Sequence, residues 1–179
     1  MPATPRLGLL VPAAILATGA LSSAATAQYR LPTITAVAKA DSLHEAAEGM
    51  VGDSHRWREA ARLHRQSAAL RTPEDSLAYR CLTSAGQVSF AANDLSSAQA
   101  DLQAAGDQAL ARGDVEKAAH AYADAAWVAR ERKNPAQVWS LGRQAEILAS
   151  SPLLSSEQRK RILQRFVHPD REYAERTSR

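Results

Sequence analysis

The chain has very little cysteine, since Cys81 is the only one among 179 residues. One thiol excludes an intramolecular disulfide and a zinc site built from several cysteines. Cys81 lies in the stretch AYRCLTSAG, whose apolar residues follow a helical spacing. That setting favours a buried, inert thiol, which packs as a small hydrophobe, over a reactive nucleophile.

Aromatic residues are also scarce, at 5% of the chain, although hydrophobic residues make up 45%. Alanine supplies much of that apolar content, and alanine has the highest helix propensity of all residues. The eight glycines and eight prolines fall mostly in the N-terminal region or at predicted helix ends. We therefore predict an all-α protein whose helices approach one another closely through small side chains.

No strong excess of one charge is present, because 22 basic residues face 19 acidic ones. A nucleic-acid-binding protein would concentrate positive charge on one face. The basic run Arg159-Lys160-Arg161 is short, and we interpret it as part of a solvated last helix. We therefore expect no nucleic-acid partner.

Residues 1–27 have the three parts of a secretory signal peptide. Arg6 precedes an apolar run from Leu7 to about Leu21, and small residues then end in Ala25-Thr26-Ala27. The run is short for a membrane-spanning helix. We expect cleavage near Ala27 and export to the periplasm or the extracellular space, with no stable membrane anchor. An uncleaved anchor is the alternative.

The segment after the leader contains two different patterns. Residues 28–41 include Pro32 and β-branched residues without clear helical periodicity, so we interpret them as an extended lead-in. Ser42 and Glu45 form a capping box that predicts a helix start. The stretch SHRWREAARLHRQSAAL then predicts an amphipathic helix, with His64 on its apolar face as a core histidine.

Helix-start signals recur at a constant step of 20 residues from about residue 73. They are Thr72-Pro73, Asn93-Asp94, Gly113-Asp114 and Asn134-Pro135. Two sets of small or mid-sized residues recur at the same 20-residue step: Ala78, Ala98, Ala118 and Val138, and Ala85, Ala105, Ala125 and Ala145. A third set, which is mostly larger, lies between them in each helix: Leu82, Leu102, Tyr122 and Gly142. These positions share one face of each helix. The period predicts antiparallel helices, each packed on its sequence neighbours.

This pattern resembles the tetratricopeptide (TPR) helical repeat over roughly residues 55–165. The matching positions are Leu102, Ala105, Gly106 and Ala109 in one helix, Gly113-Asp114 in the turn, Ala118, Tyr122 and Ala125 in the next helix, and Val138, Leu141, Gly142 and Ala145 in the third. The resemblance implies TPR-like helical hairpins stacked as a short right-handed solenoid over residues 42–168, followed by a charged tail at 169–179. A second phasing, in which Gly86 takes the place of Gly106, fits equally well.

A closed up-down helical bundle is the alternative architecture, because short turns fit both arrangements. Such a bundle would have a structural or small-ligand-binding role in the periplasm. The wide apolar face around Tyr122 favours the solenoid, in which a helix contacts neighbours on two flanks.

Motifs for catalysis and metal binding are missing from the sequence. The histidines at 44, 55, 64, 120 and 168 include no i, i+4 pair and no HExxH motif. Glu116 and His120 share a helix face but lack further ligands. No nucleophile elbow or phosphate-binding loop occurs. We therefore expect a non-catalytic protein without metal or cofactor.

Trp139 differs from Trp57 and Trp127, which we expect in the core. Trp139 follows the core position Val138 and therefore points away from the main apolar stripe. The resemblance implies that it lines a concave groove with Arg143, Gln103 and Asp107. Tryptophan and arginine are typical of recognition surfaces, so we predict that these residues bind a protein or peptide partner. The alternative is that Trp139 packs on the last helix through Leu153, Leu154 or Phe166.

Overall fold

The computed structural model describes residues 33–165. These residues form seven α-helices joined by short turns: α1 Ile34–Glu48, α2 Trp57–Ala69, α3 Ser76–Ala91, α4 Leu95–Ala111, α5 Val115–Glu131, α6 Pro135–Ala149 and α7 Ser156–Arg165, with a 3-10 turn at Ser54–Arg56 before α2. No strand occurs within this range, which confirms the predicted all-α class for it. The predicted signal peptide, Phe166 and the charged tail lie outside the described residues.

The first helix begins earlier than the sequence predicts. Thr33 caps α1 by accepting a hydrogen bond from the backbone N–H of Ala36 at 3.3 Å. Residues 34–41 are therefore helical, which corrects that part of the extended lead-in predicted for 28–41, whereas residues 28–32 lie outside the described residues. The predicted capping box at Ser42 lies inside α1. The physical reason is that the buried Ala40 packs in this helix, and tertiary packing outweighs the weak helix propensity of β-branched residues.

Three turns repeat the same backbone geometry at the predicted 20-residue step. Asn93, Gly113 and Lys133 have φ values of 57°, 74° and 57°, in the left-handed region. The following residues Asp94, Asp114 and Asn134 cap the next helix with their side chains. Their own N–H groups donate to Ser89, Ala109 and Ala129 at 2.9, 2.9 and 3.0 Å, which closes the preceding helix as in a Schellman motif.

These turns confirm the predicted helix starts at Asn93-Asp94, Gly113-Asp114 and Asn134-Pro135. The start predicted at Thr72-Pro73 is wrong by one turn. The N-cap there is Asp75, whose carboxylate accepts from Leu77 N–H at 2.8 Å. Asp75 also receives a hydrogen bond from the buried Arg71 at 2.9 Å, and this second contact fixes the cap at residue 75.

Glycines in α3 and α4 receive a large side chain from the following helix. A Cβ placed on Gly86 would lie 2.7 Å from Leu102 Cγ, and one placed on Gly106 would lie 2.9 Å from the ring of Tyr122. Both contacts join residues 16 positions apart, so they are the same contact one 20-residue step later. The periodic small residues thus allow close helix approach, as predicted.

Each helix from α1 to α5 packs most extensively on the helix that follows it in the chain. Side-chain contacts also join helices two apart. They are His44–Cys81 (α1–α3), Arg65–Asp101 (α2–α4), Phe90–Trp127 (α3–α5), Gln99–Gln137 (α4–α6) and Glu116–Gln158 (α5–α7). The consecutive packing predicted from the period is therefore present. Among the helices in this part of the chain, none has the length and apolarity needed to cross a membrane.

Candidate functional site

The predicted partner-binding residues lie on two helices. Trp139 on α6 is 51% exposed, and Arg143 forms an ion pair with Glu146 at 3.0 Å one turn further on. On α4, Asp107 is exposed and accepts a hydrogen bond from the hydroxyl of Tyr122. Asp107, which belongs to the predicted partner surface, therefore also stabilises the core through its hydrogen bond with the buried Tyr122.

One contact between α4 and α6 shows how Trp139 is oriented on α6. Gln99 Nε2 on α4 donates to Gln137 Oε1 on α6 at 3.3 Å, so Gln137 marks the side of α6 that faces α4. Trp139 is two residues further on, which is about 200° around the helix. The side chain of Trp139 therefore points away from the side of α6 that faces α4, the helix that carries Gln103 and Asp107.

Trp139 is about half exposed, and the leucines of the alternative packing differ in burial. Leu154 is buried, whereas Leu153 is 75% exposed, and Phe166 lies outside the described residues. The prediction that Trp139 points away from the core stripe agrees with this exposure.

Trp127 is more exposed than the sequence predicts. Its ring lies 4.7 Å from that of Phe90 on α3, between centroids, and its side chain is 39% exposed. The two rings line a surface cleft of about 300 Å³ over Leu102, with Asp124 at its edge. The core role predicted for Trp127 is therefore only partly correct, because one face of the ring is open to the solvent.

Trp57 is half-buried at the start of α2 and packs on the cluster that contains Ala60, Ala61 and Val88. Its indole Nε1–H donates to the carbonyl of Val51 at 2.8 Å. The hydrogen bond satisfies the polar end of the ring while its apolar body packs, as is usual for a partly buried tryptophan. We assign Trp57 a structural role.

A cluster that the sequence analysis did not predict lies between α1, α2 and α3. His44, His64 and Cys81 bring their ligand atoms within 4.8 Å of one another. His64 and Cys81 are fully buried, and burial lowers the pKa of His64 although Glu48 opposes this shift. The core position predicted for His64 is confirmed. A nucleophilic role for Cys81 would require the helices to open, because no surface of its side chain is accessible.

The signal for this cluster was present in the sequence. His44 and His64 are 20 residues apart, which is one step of the repeat, so the period extended towards the N-terminus would have placed them in register. Cys81 is 17 residues from His64 and outside that register. Only the packing of α3 on α1 brings its thiol to 3.6 Å from His44 Nδ1.

A buried arginine near the cluster joins the same three helices through two carboxylates. The guanidinium of Arg71, which is 1% exposed, contacts Asp41 on α1 at 2.6 Å and Asp75 at 2.9 Å. Burial disfavours the charge of Asp75, but the hydrogen bonds from Arg71 and Leu77 N–H outweigh it and lower the pKa of that carboxyl. Arg71 therefore ties the end of α2 to α1 and to the start of α3.

A second ion pair joins α2 to α4, where Arg65 Nη1 contacts the carboxylate of Asp101 at 2.8 Å. Ser89 donates to the same carboxylate oxygen at 3.3 Å. Burial raises the pKa of Asp101, and the opposing effect of Arg65 does not cancel that rise. Burial therefore destabilises the charged form of Asp101, and the contact with Arg65 reduces this destabilisation.

The fold defines an all-helical protein in which consecutive helices pack on one another. Comparison with protein-family models, with curated proteins and with solved structures gave no match.

Proposed function

We propose that the chain is an exported, non-catalytic, TPR-like helical-repeat scaffold that binds a protein or peptide partner. The observation that carries the proposal is the exposure of Trp127 and Trp139, 39% and 51%, in a chain poor in aromatic residues. Exposed tryptophan beside arginine is typical of residues that dominate binding energy. Binding a partner through such a surface requires no catalytic residue.

The contacts between helices two apart support a solenoid arrangement for this scaffold. The same kind of contact recurs from α1–α3 to α5–α7. In a stacked array each helix contacts its neighbours in this repeating way, whereas a closed bundle joins its first and last helices. The extensive contacts of α1 are with α2, and this favours the open array over the closed bundle with a structural or small-ligand role.

The partner surface we propose is centred on Trp139 and Arg143, with Gln103 and Asp107 as a second patch. The Arg143 side chain is 54% exposed even though it is paired with Glu146. An exposed pair of this kind contributes little to folding stability, so Arg143 can exchange Glu146 for an acidic group of a partner. The Phe90–Trp127 cleft offers an additional apolar pocket on the side of α3 and α5.

We expect Trp139→Ala to weaken partner binding by roughly 30-fold, because truncating a tryptophan hot spot costs about 2 kcal/mol or more. Arg143→Ala should weaken it by roughly tenfold. The partner is recovered from envelope extract on the immobilised chain, identified, purified and titrated against each variant. Ile34→Ala and Arg80→Ala are matched controls, because each removes an exposed apolar or basic side chain on another helix.

Recovery of no partner, or unchanged affinity in both variants, would contradict this surface. Gln103→Ala and Asp107→Asn test the second patch separately. Asp107→Asn is used instead of alanine because the amide oxygen still accepts the Tyr122 hydrogen bond.

Export requires that residues 1–27 act as a signal peptide. We expect the exported chain to begin at Gln28 when it is expressed in a bacterium, because cleavage follows the small residues Ala25-Thr26-Ala27. N-terminal sequencing of the envelope fraction measures this. Ala27→Phe should accumulate the uncleaved precursor. An N-terminus at Met1 in the wild-type chain would disprove cleavage at this position.

A further inference from the structure

Three side chains with metal-ligating atoms converge between the first three helices. His44 on α1, His64 on α2 and Cys81 on α3 place one ligand atom each within 4.8 Å of the other two. His44 Nδ1 lies 3.3 Å from His64 Nδ1 and 3.6 Å from Cys81 Sγ. Two imidazoles and one thiol, each on a different helix, thus meet at one point in the interior.

These distances agree with the spacing of ligands around a tetrahedral zinc ion. Zn–N bonds of about 2.0–2.1 Å and Zn–S bonds of about 2.3 Å place two nitrogens about 3.3 Å apart and a nitrogen and a sulfur about 3.6 Å apart. We propose that His44, His64 and Cys81 bind one Zn²⁺ ion. Imidazole and thiolate are ligands that zinc prefers, and three protein ligands leave a fourth position for a water molecule.

The surroundings of His64 resemble the outer shell of a metal site. Its Nε2 is buried without a hydrogen-bond partner and lies 3.6 Å from Glu48 Oε1. A metal-bound histidine usually presents its second ring nitrogen to a carboxylate, which fixes the orientation of the ring. If His64 binds through Nδ1, its Nε2–H points to Glu48.

Cys81 is joined to α2 by its thiol. The Cys81 S–H donates to Ser67 Oγ at 3.4 Å, and the Ser67 hydroxyl donates in turn to the carbonyl of Ala40 at 2.7 Å. The buried Arg71 guanidinium lies behind Ser67, at 3.4 Å from its hydroxyl oxygen. Zinc binds the thiolate, so binding at this site would release the thiol proton and the hydrogen bond to Ser67 with it.

A zinc ion at this point would hold together α1, α2 and α3, the first three helices of the described residues. Zinc binding contributes its free energy directly to folding when the site forms only in the folded chain. The inference does not depend on partner binding, since none of these residues belongs to the proposed partner surface.

Cobalt(II) provides the test, because it occupies zinc sites and its thiolate complexes absorb in the near ultraviolet. The full chain is used without a polyhistidine tag, and a phosphine reductant replaces thiol reductants, which bind metals themselves. We expect a thiolate-to-cobalt absorption band that saturates at one ion per chain and disappears when Zn²⁺ is added. Competition with a chromogenic chelator then gives the affinity for Zn²⁺.

The variants separate ligands from neighbours. Cys81→Ser should abolish the band, and Cys81→Ser, His44→Gln and His64→Gln should each weaken Zn²⁺ binding more than about 100-fold, whereas Glu48→Gln should weaken it by roughly 10–100-fold. His120→Gln is the matched control. It removes a histidine on another helix that also has a carboxylate four residues away, at 4.0 Å, and it should bind as the wild type does.

Circular dichroism of each variant shows whether it folds. The cobalt absorption band is measured on the wild-type chain, so a variant that fails to fold does not affect that result. Absence of the band in the wild type would overturn the proposal. Zn²⁺ affinity that is the same in folded Cys81→Ser as in the wild type would also overturn it, because binding would then be at another place.

Discussion

Tyr122→Ala is expected to lower the free energy of unfolding by about 3–5 kcal/mol, the usual cost of truncating a buried aromatic side chain. The Tyr122 side chain is 3% exposed in the main hydrophobic cluster. Its ring lies on Gly106, and its hydroxyl donates to Asp107. Urea denaturation followed by circular dichroism measures the change. Tyr122→Phe should cost only about 1 kcal/mol, because it removes the hydrogen bond and keeps the ring.

The contact between Gly106 and Tyr122 can be isolated by a double-mutant cycle. In the wild-type chain, a Cβ on Gly106 would lie 2.9–3.0 Å from three ring atoms. The hydroxyl bond to Asp107 prevents the ring from moving away. We expect Gly106→Ala to destabilise the wild type by about 1 kcal/mol, as overpacking outweighs the gain in helix propensity.

The same substitution should have the opposite sign in the Tyr122→Ala background. There the ring is absent, so Gly106→Ala meets no obstacle and should stabilise by about 0.5–1 kcal/mol through reduced backbone entropy. Equal effects of Gly106→Ala in both backgrounds would show that the ring does not set the close approach of α4 and α5.

The repeated turns could be predicted from sequence because their determinants are local. Asp94, Asp114 and Asn134 cap the helices that begin one residue later, and each acts on an N–H only three residues away. The alanine positions that reveal the 20-residue step can likewise be read from the sequence without knowing how the helices pack. The start of α1 was not predicted, because Pro32 and the β-branched residues obscured a helix that packing stabilises.

Apart from the 20-residue step between His44 and His64, the contacts of the buried polar clusters could not be predicted, because they depend on the register between helices. His44 and Cys81 are 37 residues apart, and Arg65 and Asp101 are 36 apart. Nothing near either residue in the sequence identifies its partner. The orientation of Trp139 relative to α4 was missed for a related reason. The sequence showed which residues of α6 lie outside its apolar stripe, but the contact between Gln99 and Gln137 was needed to show which side of α6 faces α4.

Arg65→Met is expected to destabilise the chain by about 2–3 kcal/mol at neutral pH, because it leaves Asp101 ionised and unpaired in the interior. The Asp101 side chain is 7% exposed, whereas that of Arg65 is 37% exposed, so the expected loss is at the lower end for a broken buried pair. Denaturant titration of the variant measures it. Adding Asp101→Asn should recover most of the loss, since the charge is then gone and the shape is kept.

The dependence of this loss on pH distinguishes a buried charge from a packing defect. Burial already raises the pKa of Asp101 above its ordinary value of 3.8, and removal of Arg65 should raise it further. When the folded pKa is higher than the unfolded one, the contribution to stability is present below the unfolded pKa and lost as pH rises through the folded pKa. Arg65→Met should therefore cost more at pH 7 than near pH 4. A loss of the same size at both values, or one that Asp101→Asn does not reduce, would assign the effect to the packing of the Arg65 side chain instead of to the charge of Asp101.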